Sequence, residues 1–140
     1  MIRIPDSISA MIYTMKRPYL WTLMVWAIAA VGYWLMATVG NVPVAFLYLA
    51  SIVFVGAMPL IKGKHNTLHW ICGITGCATS QLWCVLTCVT TEGSMPVVAV
   101  WLCVWALYAA IMLCARFRHW CFWMEVWCMA SVVIVLNLYS

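Results

Sequence analysis

Long apolar stretches separated by short polar segments make up most of this chain. Each stretch has about 20 residues, the length that an α-helix needs to cross the hydrocarbon core of a bilayer. The pattern predicts an all-α, polytopic transmembrane helical bundle with five spans. The spans are expected at about 18–40, 43–61, 67–90, 97–115 and 120–139.

The segment ahead of the first span has a different pattern. Apolar residues recur there at helical spacing, next to Lys16 and Arg17. This spacing predicts an amphipathic helix on the inner surface of the membrane. We therefore expect a cytoplasmic tail over 1–17 and a single transmembrane domain over 18–139. The recurring residues of the tail are Ile8, Met11, Ile12 and Met15.

Composition supports a membrane location for the chain. Of its 140 residues, 68% are hydrophobic and 7% are charged. Soluble domains carry about 25% charged residues, and disordered chains combine low hydrophobicity with high charge. Both of those classes are therefore excluded. The lipid bilayer is the expected surrounding medium.

The distribution of positive charge predicts the orientation. The seven Lys and Arg residues all fall in the tail and in the second and fourth loops, which share one side of a five-span bundle. The positive-inside rule then places the N-terminus in the cytoplasm and the C-terminus outside. The net charge of +4 is thus explained by topology, and no nucleic-acid partner is expected. Compact loops and this charge bias favour a bacterial inner membrane.

Small side chains form a row along the third span and another along the fourth. In lipid, such rows allow close approach of helix backbones. The two rows are expected to pack against each other, and contact between copies of the chain is the alternative. Because the charge bias is strong, any homo-oligomer should be parallel. The packing residues are Gly73, Cys77, Ser80, Cys84, Ala99, Cys103, Ala106 and Ala110.

Few strongly polar side chains lie within the predicted spans. Glu125 is the sole acid there, and His69 and Gln81 lie in the third span. A carboxylate at the centre of a span costs about 2.5–3.5 kcal/mol on insertion scales, so such groups usually face the bundle interior. Glu125 is expected either to pair with His69 or a loop arginine, or to bind a proton or cation in a conduit that His69 and Gln81 also line.

A metal site is a further hypothesis for this region. Imidazole, thiolate and carboxylate groups together can bind zinc or copper. The spacing of the candidates matches no standard motif, and no other cofactor is predicted. The candidate ligands are His69, Cys72, Cys114, His119, Cys121 and Glu125.

The sequence thus favours a homo-oligomeric channel or a small-solute or ion transporter that uses Glu125. The alternative is a non-catalytic subunit or anchor that assembles with a membrane protein partner. No Ser-His-acid arrangement or glycine-rich phosphate loop indicates an enzyme. Four tryptophans near mid-membrane are expected to pack or to line a cavity for an aromatic or cationic ligand. They are Trp26, Trp83, Trp105 and Trp127.

Overall fold

The fold consists of α-helices joined by short segments. The computed structural model describes residues 8, 16–57, 67–92, 95–114 and 119–139. No strand occurs among these residues, so the all-α prediction is confirmed. The helices are α1 (Pro18–Val39), α2 (Val42–Ala57), α3 (Thr67–Glu92), α4 (Met95–Cys114) and α5 (Trp120–Tyr139).

Three of the helices, α1, α3 and α5, are long and apolar enough to cross a membrane. Helix α2 is apolar, but its 16 residues extend about 24 Å at 1.5 Å per residue, less than the roughly 30 Å of a hydrocarbon core. In α4, the apolar segment among the described side chains is Val98–Ala110. Length and composition therefore support three of the five predicted spans. The predicted interfacial helix and the basic loop residues from 62 to 64 and from 116 to 118 lie outside the described residues, apart from Ile8, Lys16 and Arg17.

Helices α1 and α2 form an antiparallel pair. The Thr22 hydroxyl donates a hydrogen bond to the Gly56 carbonyl (2.8 Å) near the start of α1 and the end of α2. Towards the other end, a Cβ placed on Gly32 would lie 3.6 Å from the Tyr48 ring. One contact lies near the end of α2 and the other near its middle, so the two helices pack side by side.

Helix α3 lies at the centre of the molecule. It contacts α2, α4 and α5, while α1 contacts α2 and α5. Helices α1, α2, α3 and α5 thus form a closed ring, and α4 packs on the outside of α3. Within an apolar stretch of 18 residues in each helix, 44% of the residues are buried in α3, against 17% in α1 and 22% in α5.

The core lies inside the ring of four helices. Every ring helix contributes at least one fully buried side chain to it: Met36 from α1, Ala45 from α2, Trp83 and Cys84 from α3, and Val135 from α5. Loss of side chains of this size from a close-packed interior leaves cavities that the structure fills only partly. The ring is therefore held by contacts among all four of its helices.

The outward faces are also apolar. Large side chains such as Leu23, Trp34, Val100, Leu107 and Leu138 are exposed. A helix that is hydrophobic on all sides is typical of a membrane span or of the centre of a large protein. Because these faces lie on the outside of a small bundle, the structure supports a membrane protein.

Candidate functional site

Gln81 joins three helices by its side-chain amide. Its Oε1 accepts a hydrogen bond from Trp105 Nε1 of α4 (3.0 Å), and its Nε2 donates to the carbonyl of Cys128 of α5 (3.5 Å). A polar group in lipid must find such partners within the protein because there is no water to supply them. Gln81 therefore connects the peripheral helix α4 to the ring.

An aromatic groove surrounds this amide on the outer side of α3. It lies between α3, α4 and α5, has a volume of about 560 Å³ and is open to the surroundings of the bundle. This volume is within the range of about 300–1,000 Å³ that is usual for small-molecule sites. Besides Gln81, the groove is lined by four tryptophans, namely Trp70, Trp101, Trp105 and Trp120.

Two cysteine thiols meet at the inner wall of the groove. Cys77 of α3 and Cys128 of α5 both line it, and their side chains are hydrogen-bonded to each other. Beside them, the Ser80 hydroxyl donates to the Cys77 carbonyl (2.7 Å) and Gln81 Nε2 donates to the Cys128 carbonyl (3.5 Å). Both cysteines are free thiols. The α3–α5 interface therefore contains a dithiol pair surrounded by hydrogen-bond donors.

Glu125 of α5 contacts the segment that precedes α1. The carboxylate Oε2 accepts a hydrogen bond from the backbone N–H of Ile8, and this contact joins residues 117 positions apart in the chain. Glu125 is half-buried, whereas His69 of α3 is buried. The pairing of Glu125 with His69 stays a prediction, and the loop arginines lie outside the described residues.

The metal hypothesis gains no support from the described residues. No group of three or more His, Cys, Asp or Glu side chains among them lies close enough together to hold a metal ion. Of the six candidates, Cys121 is buried, Cys72 and His119 are half-buried, and the side chain of Cys114 lies outside the described residues. A metal ion at this end of the bundle stays a prediction.

The two rows of small residues do not face each other in the single chain. On α3, Ser80 and Cys84 are buried, and Gly73 and Cys77 are half-buried within the bundle. On α4, the whole row points outward. Its exposed members are Ala99, Cys103, Ala106 and Ala110.

Indole N–H groups connect helices at positions that periodicity did not single out. Trp26 of α1 donates to the carbonyl of Val53 of α2 (3.0 Å), and Trp83 of α3 donates to the carbonyl of Gly40, which follows α1 (2.6 Å). An indole N–H deep in a span requires an acceptor to avoid an unpaired polar group in hydrocarbon, although those of Trp101 and Trp127 meet none among the described residues. That requirement is the sequence signal for these contacts, although it does not identify the acceptor.

No protein-family model, curated protein or solved structure matched the chain. The class of the protein therefore rests on its own residues. It is an all-α protein with three helices long and apolar enough to span a membrane.

Proposed function

We propose that the protein is a five-span subunit of a membrane assembly, with its N-terminus in the cytoplasm, its C-terminus outside and α4 as its assembly helix. The positive charges at the tail and the second and fourth loops support this orientation. Helix α2 is shorter than the hydrocarbon core. It lies between α1 and α3 in the ring, and these two longer helices flank it within the bilayer. A bacterial inner membrane suits this topology.

The outward row of α4 is the observation that carries the proposal. Ala99, Cys103, Ala106 and Ala110 recur four, three and four residues apart and are all exposed. Small side chains on a lipid-facing surface leave the helix backbone accessible to another helix, and packing at such rows drives association within bilayers. A parallel homo-oligomer is the assembly that the charge bias favours.

Enlarging one residue of the row tests this proposal. The substitution Ala106→Leu should shift the purified chain in lipid nanodiscs or mild detergent from oligomer towards monomer, as measured by mass photometry or light scattering. Ala30→Leu is the matched control because Ala30 is an exposed alanine on α1. An oligomer that Ala106→Leu leaves unchanged, or a wild-type chain that is monomeric in lipid, would contradict self-assembly through α4.

A proton or cation conduit that uses Glu125 is the second candidate function. The half-buried carboxylate accepts a hydrogen bond from the backbone N–H of Ile8, which places an ionisable group at the contact between α5 and the segment that precedes α1. His69 and Gln81 lie on the neighbouring helix α3. Ionisable groups within spans are commonly found along ion pathways.

Flux measurements test the conduit. Glu125→Gln should lower proton flux into reconstituted vesicles at least tenfold, as followed by a pH-sensitive dye inside the vesicle. Glu92→Gln is the control, since Glu92 is the last residue of α3. Equal flux through the wild type and Glu125→Gln would remove the residue on which this candidate depends.

A further inference from the structure

The dithiol pair of Cys77 and Cys128 lies deep in the membrane. Cys77 is ten residues into α3 and Cys128 eight residues into α5, which corresponds to about 15 Å and about 12 Å from the helix starts. Half of a hydrocarbon core is about 15 Å. Charged, water-soluble thiol reagents therefore have no direct access to these sulfurs.

The groove gives access to the same sulfurs from the side. Cys77 is half-buried, and both cysteines belong to the groove wall along with four tryptophans. A flat, apolar molecule dissolved in the bilayer could enter between these rings, since aromatic groups stack favourably on one another. The groove volume of about 560 Å³ accommodates a substituted ring of this kind.

The local chemistry favours oxidation of this pair. The thiols are already in hydrogen-bond contact, so a short approach of the sulfurs leads to the S–S distance of about 2.05 Å. Among the cysteines on these helices, Cys103 is exposed but lies on the outward row of α4.

We propose that Cys77 and Cys128 form a redox-active dithiol whose oxidant is a lipid-soluble quinone bound in the aromatic groove. Both S–H bonds break and one S–S bond forms between the two residues. Two electrons and two protons pass to the quinone, which leaves as the hydroquinone. The disulfide then joins α3 to α5 covalently. This proposal does not depend on assembly through α4 or on the conduit.

The test uses the full chain reconstituted in lipid vesicles and a fully substituted short-chain benzoquinone, which lacks a free ring position for addition of a thiol. We expect one equivalent of hydroquinone, the loss of two free thiols and a linked pair of peptides containing Cys77 and Cys128 in non-reducing mass spectrometry. Oxidised glutathione should act at least tenfold more slowly, because it is charged. Dithiothreitol should reverse the linkage.

Single serine substitutions show which cysteines reduce the quinone. Cys77→Ser and Cys128→Ser should each abolish hydroquinone formation, while Cys103→Ser should leave it unchanged. Circular dichroism of the serine variants should match that of the wild type, which separates a loss of reaction from a loss of fold. A linkage between other cysteines, or a Cys77→Ser chain that reduces the quinone at the wild-type rate, would overturn the dithiol. Equal rates with oxidised glutathione would overturn the role of the groove.

Discussion

The indole of Trp26 on α1 lies directly against the backbone of Gly56 on α2. A Cβ at Gly56 would lie 2.8 Å from Trp26 Nε1 and 2.9 Å from Trp26 Cδ1. The same Nε1 donates to the Val53 carbonyl at 3.0 Å. The absence of a side chain at Gly56 therefore allows both the close packing of the two helices and this hydrogen bond.

Gly56→Ala should destabilise the chain because the added methyl group displaces a rigid ring. We expect a loss of about 1–3 kcal/mol, the usual range for overpacking a well-packed interior. The measurement is the free energy of unfolding in detergent micelles by titration with a denaturing detergent. Gly73→Ala is the control: a Cβ there meets nothing within 4 Å, and alanine favours a helix by roughly 0.5–1 kcal/mol over glycine.

Gly76 provides a second comparison. A Cβ at Gly76 would lie 2.8 Å from Ile52 Cδ1, which is the end of a flexible side chain that can move. Gly76→Ala should therefore cost less than Gly56→Ala in the same titration. Equal losses at the two positions would contradict the distinction between a rigid ring and a mobile methyl group.

Trp83→Phe should lower the stability of the ring. The substitution keeps an aromatic ring at a fully buried position but removes the hydrogen bond of 2.6 Å to the Gly40 carbonyl. We expect a loss of about 1–3 kcal/mol in the free energy of unfolding measured in micelles, since a partly buried carbonyl loses its donor. Trp34→Phe is the control because Trp34 is 64% exposed on α1 and should change stability little.

The contact between Gln81 and Trp105 should appear as a coupling energy. In a double-mutant cycle of Gln81→Leu and Trp105→Phe, the two losses of stability should not add, and the difference should be about 0.6–1.7 kcal/mol, as for other hydrogen bonds between membrane helices. A cycle that pairs Gln81→Leu with Trp34→Phe on α1 should show no coupling. Strict additivity at Gln81 and Trp105 would contradict a hydrogen bond that contributes to stability.

The contact between Ile8 and Glu125 can be removed at the backbone. Proline has no N–H, so Ile8→Pro eliminates the donor to the Glu125 carboxylate, whereas Ile8→Ala keeps it. We expect limited proteolysis of vesicle-embedded protein to cleave the tail severalfold faster in Ile8→Pro than in Ile8→Ala. Equal cleavage rates would show that this hydrogen bond does not hold the tail.

The sequence pattern was sufficient to predict the helices but not their arrangement. Periodicity shows which side chains share one face of a helix; it does not show which neighbour covers that face. The row at Ala106 was expected to meet α3, yet it is exposed, because α4 meets α3 through another face, which carries Trp105. The partners of Gln81 could not be predicted for the same reason, since they depend on where α4 and α5 lie around α3.

The ring of helices closes only when α5, the last helix to be synthesised, has entered the membrane. Helix α3 leaves the ribosome before α5, so the Gln81 amide enters the membrane before the Cys128 carbonyl to which it donates in the finished fold. Unpaired polar groups in hydrocarbon are costly, and this cost favours retention of α3 beside the insertion machinery until α5 arrives. The last ring helix would then release the others into the lipid as one unit.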